Sequence, residues 1–102
     1  MKINLISTKE ILDFENELGH ELVVNVRPAH YKAPKYYVTF DGGEVKDGDV
    51  LVGVTGNGSS IDEAITDYCN QVSGRIMVFW AFSESRTEIE LPKLIHTKFL
   101  NQ

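Results

Sequence analysis

The sequence predicts an α+β fold in the order α-β-β-β-α-β-β, with an antiparallel sheet of about five strands and both helices on one face. Three observations lead there. Ile61, Ala64, Ile65, Tyr68, Cys69 and Val72 recur at helical spacing, and the residues between them are polar. Residues 21–27, 36–40 and 87–91 alternate or are rich in β-branched and aromatic side chains, as half-buried strands are. Asp41-Gly42 and Asp47-Gly48 are turn pairs, and strands joined by tight turns must run antiparallel.

Taken in order, Ser7-Thr8-Lys9-Glu10 has the form of a capping box, so a helix is expected to run to about Leu18 and to close at Gly19. Ile11, Phe14 and Leu18 form its apolar stripe, and Glu10, Asp13 and Glu17 a neighbouring acidic one. A strand over residues 21–27 ends at Pro28, and a loop holding Pro34 leads to a second strand at 36–40. That strand and a third at 50–55 read as a hairpin with a long tip, which has room for a short extra strand at 44–46. After the second helix, which ends at Gly74, residues 75–82 (RIMVFWAF) are apolar on both alternating sets and read as a central strand with both faces at least partly covered. A last strand, TEIEL, closes at Pro92, and the tail at 93–102 receives no assignment.

Composition narrows the function. With hydrophobic residues at 42% and charged residues at 25%, residues 1–102 are expected to fold as one ordered domain. Ten basic against fifteen acidic residues give a net charge of −5, which disfavours broad affinity for nucleic acid unless the basic residues are segregated. The single cysteine, Cys69, cannot form an intramolecular disulfide, and no apolar run approaches the ~20 residues of a membrane span. A cytoplasmic location, no membrane contact, no cofactor and no metal are the resulting expectations.

Gly53 onward reads GVTGNGSSIDEA, the nearest approach to a phosphate-binding motif. A Walker loop requires Gly-Lys-Ser/Thr at its end, and Ser59-Ser60-Ile61 stands there instead. Ser60-Ile61-Asp62-Glu63 is a second capping box, so the glycines are expected to form a turn before a capped helix.

Arg27, His30, Tyr31, Lys32, Lys35, Tyr36 and Tyr37 lie together with no acidic residue among them. Arg27, Tyr31, Lys32, Lys35 and Tyr37 are therefore candidates for holding a single nucleic-acid strand by phosphate pairing and base stacking, and a solvated loop is the other reading. Glu10, Asp13 and Glu17 are candidates for contact with a basic protein partner, since like charges four residues apart such as Asp13 and Glu17 mildly destabilise the helix itself, and a solvated face is the other reading. Glu17-Leu-Gly-His20 has a carboxylate–histidine spacing known from di-iron sites, but it occurs once and straddles a helix end. Cys69 lies on the apolar stripe of the second helix, where a thiol packs as a small hydrophobe. Nothing in the sequence points to catalysis. Met77, Phe79, Trp80 and Phe82 crowd one strand, and a single helix layer covers only half of them. Ile95, Phe99 and Leu100 of the tail, or a second copy meeting the sheet face near Trp80 as a homodimer, are the two candidate covers.

Residues 37–74, YVTFDGGEVKDGDVLVGVTGNGSSIDEAITDYCNQVSG, resemble the strand-strand-turn-helix core of HicB-like antitoxin domains. GNGSSIDEAITDYCNQVSG is also similar to small uncharacterised proteins of phages that infect Gram-positive bacteria. The chain differs from the antitoxins in its helix ahead of the sheet and in a further strand pair where they carry a DNA-binding domain. The resemblance implies a non-enzymatic phage or prophage accessory protein in the bacterial cytoplasm, acting by protein–protein contact, with inhibition of a host or defence protein as one such role. The alternative is a nucleic-acid-binding or antitoxin-like accessory that uses residues 27–37.

Overall fold

The computed structural model describes residues 8–97; Ser7, Phe99 and Leu100, expected to cap the first helix and to cover the sheet, lie outside the described residues. In chain order the elements are β1 (Thr8–Glu10), α1 (Ile11–Leu18), β2 (Leu22–Val26), β3 (Tyr36–Phe40), β4 (Gly43–Asp47) and β5 (Val50–Val52). They continue with β6 (Gly56–Gly58), α2 (Ile61–Val72), β7 (Ile76–Phe79), β8 (Thr87–Glu90) and β9 (Lys93–Ile95). The α+β class is as expected. The single five-stranded sheet is not, because the described strands form three sheets, in the orders β1-β9, β2-β3-β6 and β5-β4-β7-β8.

The division occurs at Asp41-Gly42. The hairpin expected between residues 36–40 and 50–55 does not form. Instead β3 pairs with β2 and β6, while β4 passes into the other sheet, pairs with β5 around the Asp47–Asp49 turn, and lies against β7. The extra strand is thus an interior member of its sheet. Residues 50–55 divide between β5 and a crossing segment, and Gly56–Gly58, expected as a turn, is a strand paired with β3 through Asn57↔Tyr37. β6 needs its glycines because α2 runs directly over it: a Cβ at Gly56 would fall on the Ala64 carbonyl oxygen, and one at Gly58 on the Ala64 amide. Its outer edge is closed by side chains of α2. The Asp67 carboxylate accepts from the Asn57 amide at 2.8 Å, and the Gln71 amide donates to the Thr55 carbonyl at 2.8 Å, so the edge offers no strand-pairing template.

α2 has the expected bounds and the expected buried stripe, with Ser60 as N-cap accepting from the Glu63 amide at 3.1 Å. Glu63 reaches back to the Ser59 amide at 2.9 Å, one residue further than in a simple capping box. α1 is capped differently from the expectation. Residues 8–10 are strand, and Glu10 is the N-cap, its carboxylate accepting from the Leu12 amide at 3.1 and 3.3 Å. β9, within the unassigned tail, pairs in parallel with β1 through Lys9↔Leu94. α2 packs on β3, β6 and β9, and α1, which follows β1 directly, sends Ile11 and Phe14 into the same core, where Phe14 meets Phe40 of β3.

Phe40 sits at the centre of the core, with Phe14, Tyr68 and Phe79 edge-on around it at centroid distances of 6.5, 5.8 and 6.0 Å. β6 ends opposite Val38, which leaves the Phe40 amide without a strand partner, and the Tyr68 hydroxyl takes its place as acceptor at 3.2 Å. β7 is central, between β4 and β8, and is at least partly covered on both faces as expected, Ile76 on the Val78 face staying 39% exposed. Met77 and Phe79 enter the core. Val78 on the opposite face is fully buried between Glu44 and Glu88 of the flanking strands, and Lys46 bridges to Glu88 at 3.2 Å. The strand stops at Phe79, three residues before the expected end, because Trp80 turns the backbone.

Candidate functional site

Trp80 has φ of 52°, the only non-glycine residue with a left-handed backbone among the described residues. For a bulky side chain this conformation costs of order 1–3 kcal/mol and persists only where the surroundings enforce it. Here three hydrogen bonds do so. The Trp80 amide donates to the Gly42 carbonyl at 3.0 Å, and the Trp80 carbonyl accepts from both the amide and the hydroxyl of Ser83 at 3.0 Å each. The indole is thereby laid across Gly42, where an added Cβ would meet ring carbons at 2.7 and 2.8 Å. Gly42 itself has φ of 74°, so two left-handed residues face each other where the β3 sheet gives way to the β4 sheet.

That arrangement opens a groove of about 590 Å³ on the outside of the molecule. One wall is the outer face of β2 and β3, with Val23, Asn25 and Thr39; the other is Trp80, Ala81 and Phe82; Gly42 and Gly43 make the floor. Phe82 is 95% exposed, and Trp80, although packed on Gly42, keeps 43% of its surface exposed. Asp41 and Glu44 also line the groove, and neither carboxylate has a cationic partner among the described residues.

No protein-family model, no curated protein and no solved structure matches this chain.

The acidic candidates on α1 do not form one outward stripe. The Glu10 side chain is 8% exposed and turned inward onto the Leu12 amide and His96, and Glu17 is paired with Lys9 at 2.6 Å. Asp13 is exposed on the first turn. Glu17 and His20 go to different partners, because the His20 ring stacks on Phe79 at 3.8 Å.

The basic loop folds back on itself. Arg27 donates to the Pro34 carbonyl and to the Asn57 side-chain oxygen, both at 2.7 Å, and its guanidinium lies 4.4 Å over the Tyr37 ring. Lys35 lies 5.2 Å over Tyr36, while Tyr31 is 59% exposed and Lys32 is exposed beside it. Of the five residues, Arg27 and Tyr37 are brought together with each other, and Tyr31, Lys32 and Lys35 remain on the surface.

The amides around Gly56–Gly58 that a phosphate would need are already bonded: Asn57 to Asp67, Ser59 to Glu63, and Glu63 to Ser60. Carboxylates occupy two of these three positions.

A cluster that sequence reasoning missed joins three elements at the start of α2. His96, just past β9, places Nε2 2.7 Å from Asp62 and Nδ1 3.4 Å from Glu10, with 3% of its side chain exposed. Both ring nitrogens face carboxylates, so neither is offered to a substrate. Cys69 lies close by, and burial, reinforced by the Glu10 charge, pushes its thiol up to about 12. A thiol so fully protonated is no nucleophile at neutral pH. No sequence signal links residues 10, 62 and 96, because only the pairing of β1 with β9 brings them together.

Proposed function

We propose that this chain is a small binding protein that acts by protein–protein contact, with the groove at Trp80 and Phe82 as its contact surface. The observation that carries the reading is Trp80, a large aromatic held in an unfavourable backbone conformation by three hydrogen bonds and left 43% exposed. Strain maintained at a residue the core does not need is characteristic of functional positions, and preorganised exposed aromatics are the usual anchors of protein interfaces. The resemblance of residues 37–74 to HicB-like domains and phage proteins would set such a protein in a phage or prophage, working in the cytoplasm of the bacterial host. Asp13 and Glu17 supply a second contact for a basic partner.

The test is affinity capture from host lysate with the wild-type chain and with a Trp80→Ala, Phe82→Ala variant of unchanged circular dichroism. The partner should be lost from the variant. A partner retained by it refutes the groove, and release by charge reversal at Asp13 and Glu17 alone would move the contact to α1. Exposed Tyr31 beside Lys32 and Lys35 favours a second reading, binding of a single nucleic-acid strand, which a salt-dependent shift of labelled RNA or DNA would reveal.

A further inference from the structure

We infer that the groove receives an arginine side chain carried on an exposed segment of a partner protein, an inference that rests on the binding reading above. An indole face set next to carboxylates attracts a cation with an apolar stem: the ring quadrupole draws the charge, the carboxylates pair with it, and the stem covers the ring. Asp41 and Glu44 provide the carboxylates and lack a cationic partner among the described residues.

The chain's own nearby cations are committed elsewhere. Lys46 and Arg86 both pair with Glu88, at 3.2 and 3.1 Å, and Arg27 is held by Pro34, Asn57 and the Tyr37 ring. The complementary charge must therefore come from outside, and a chain of net charge −5 favours its approach. Arginine fits better than lysine. Its planar guanidinium stacks on an indole and presents a fork of donors to two carboxylates, whereas the lysine ammonium is a strongly hydrated point charge. Phe82, in the same wall as Trp80 and 95% exposed, offers an apolar surface to the residue next to the arginine. A nucleic-acid strand is a poor occupant, since its phosphates would be repelled by the same carboxylates.

The test uses the full chain as bait for a displayed library of random dodecapeptides. The enriched peptide is then synthesised with arginine, lysine or citrulline at the selected position. Trp80 is the single tryptophan, so its emission reports occupancy of the groove directly. Selection should enrich arginine beside an apolar residue, and citrulline should weaken binding by about tenfold or more, as loss of a charge-assisted contact does. The Asp41→Asn, Glu44→Gln variant should bind the arginine and citrulline peptides alike. Enrichment of peptides without arginine that is abolished by Trp80→Ala would overturn the inference and leave the binding reading intact. No Trp80-dependent selection would overturn both. A homodimer that sediments as such and is dissociated by Trp80→Ala, or quenching of Trp80 by single-stranded RNA, would also overturn it, by naming a different occupant.

Discussion

If Trp80 is strained as its φ of 52° implies, glycine at this position should give a more stable protein than alanine, the reverse of the usual order. Both substitutions remove the indole, so the lost packing on Gly42 cancels between them. What remains is backbone. A left-handed conformation costs an L-residue roughly 1–2 kcal/mol and costs glycine almost nothing. Against this, glycine has more chain entropy to lose on folding, roughly 0.5–1 kcal/mol relative to alanine. The difference leaves Trp80→Gly more stable than Trp80→Ala by about 0.75 kcal/mol at mid-range, and by up to roughly 1.5. Ala81→Gly in the same loop, where no left-handed backbone is needed, should instead destabilise. Urea unfolding followed by far-ultraviolet circular dichroism measures all three, since the substitutions at position 80 remove the fluorescent probe. An alanine variant as stable as the glycine variant, at equal dependence on urea, would show that residue 80 relaxes out of the left-handed region and that its strain is not enforced.

Gly58→Ala should cost about 2–3 kcal/mol by urea unfolding, because the new Cβ meets the backbone at the start of α2. Tyr68→Phe should cost about 1–3 kcal/mol, since the buried Phe40 amide loses its acceptor while the ring packing is kept. With its thiol pushed up to about 12 from 9.0, Cys69 should resist a thiol-specific disulfide reagent at pH 8 in the folded protein and react on adding urea. Because that folded value is the higher one, the stability it contributes is present below pH 9 and is lost as the pH rises toward 12. Cys69→Ala should flatten this alkaline fall, leaving the smaller part due to Tyr68, which burial raises in the same direction. His96→Ala should cost about 2–3 kcal/mol, and a double-mutant cycle with Asp62→Asn should show coupling above about 0.5 kcal/mol if the 2.7 Å contact holds β9 to α2.

α2 was legible in the sequence because two independent signals agree on it, a hydroxyl cap at Ser60 and an apolar stripe of helical period ending at Val72. β6 was not, and the reason is physical. Strands are recognised by their side chains, whereas Gly56 and Gly58 pair with β3 because they have none and can pass beneath a helix. β9 is three residues long, and its pairing with β1 joins segments some eighty-five residues apart, a relation that no local pattern carries. Glu10, Asp13 and Glu17 recur at helical spacing, but that pattern does not tell which carboxylate turns inward. Glu10 does so because it stands where β1 becomes α1 and there caps the helix.

The groove was illegible for the same reason that it exists. Asp41-Gly42-Gly43 carries strong turn chemistry, which suggests a reversal of β3 onto the next strand. The chain instead uses the left-handed freedom of Gly42 to leave one sheet and enter another, so β3 and β4 splay apart where a hairpin would have closed. Splaying exposes the floor at Gly42 and Gly43, and β7, paired with β4, delivers Trp80 onto that floor at the first residue beyond their register. Two elements remote in sequence thus meet where the chain leaves the β3 sheet for the β4 sheet. Residue 42 has no side chain, and residue 80 has the largest there is. A Cβ at position 42 would strain that residue's left-handed backbone and lift the indole at once, so the groove depends on this pairing of smallest with largest more than on any residue that lines its walls.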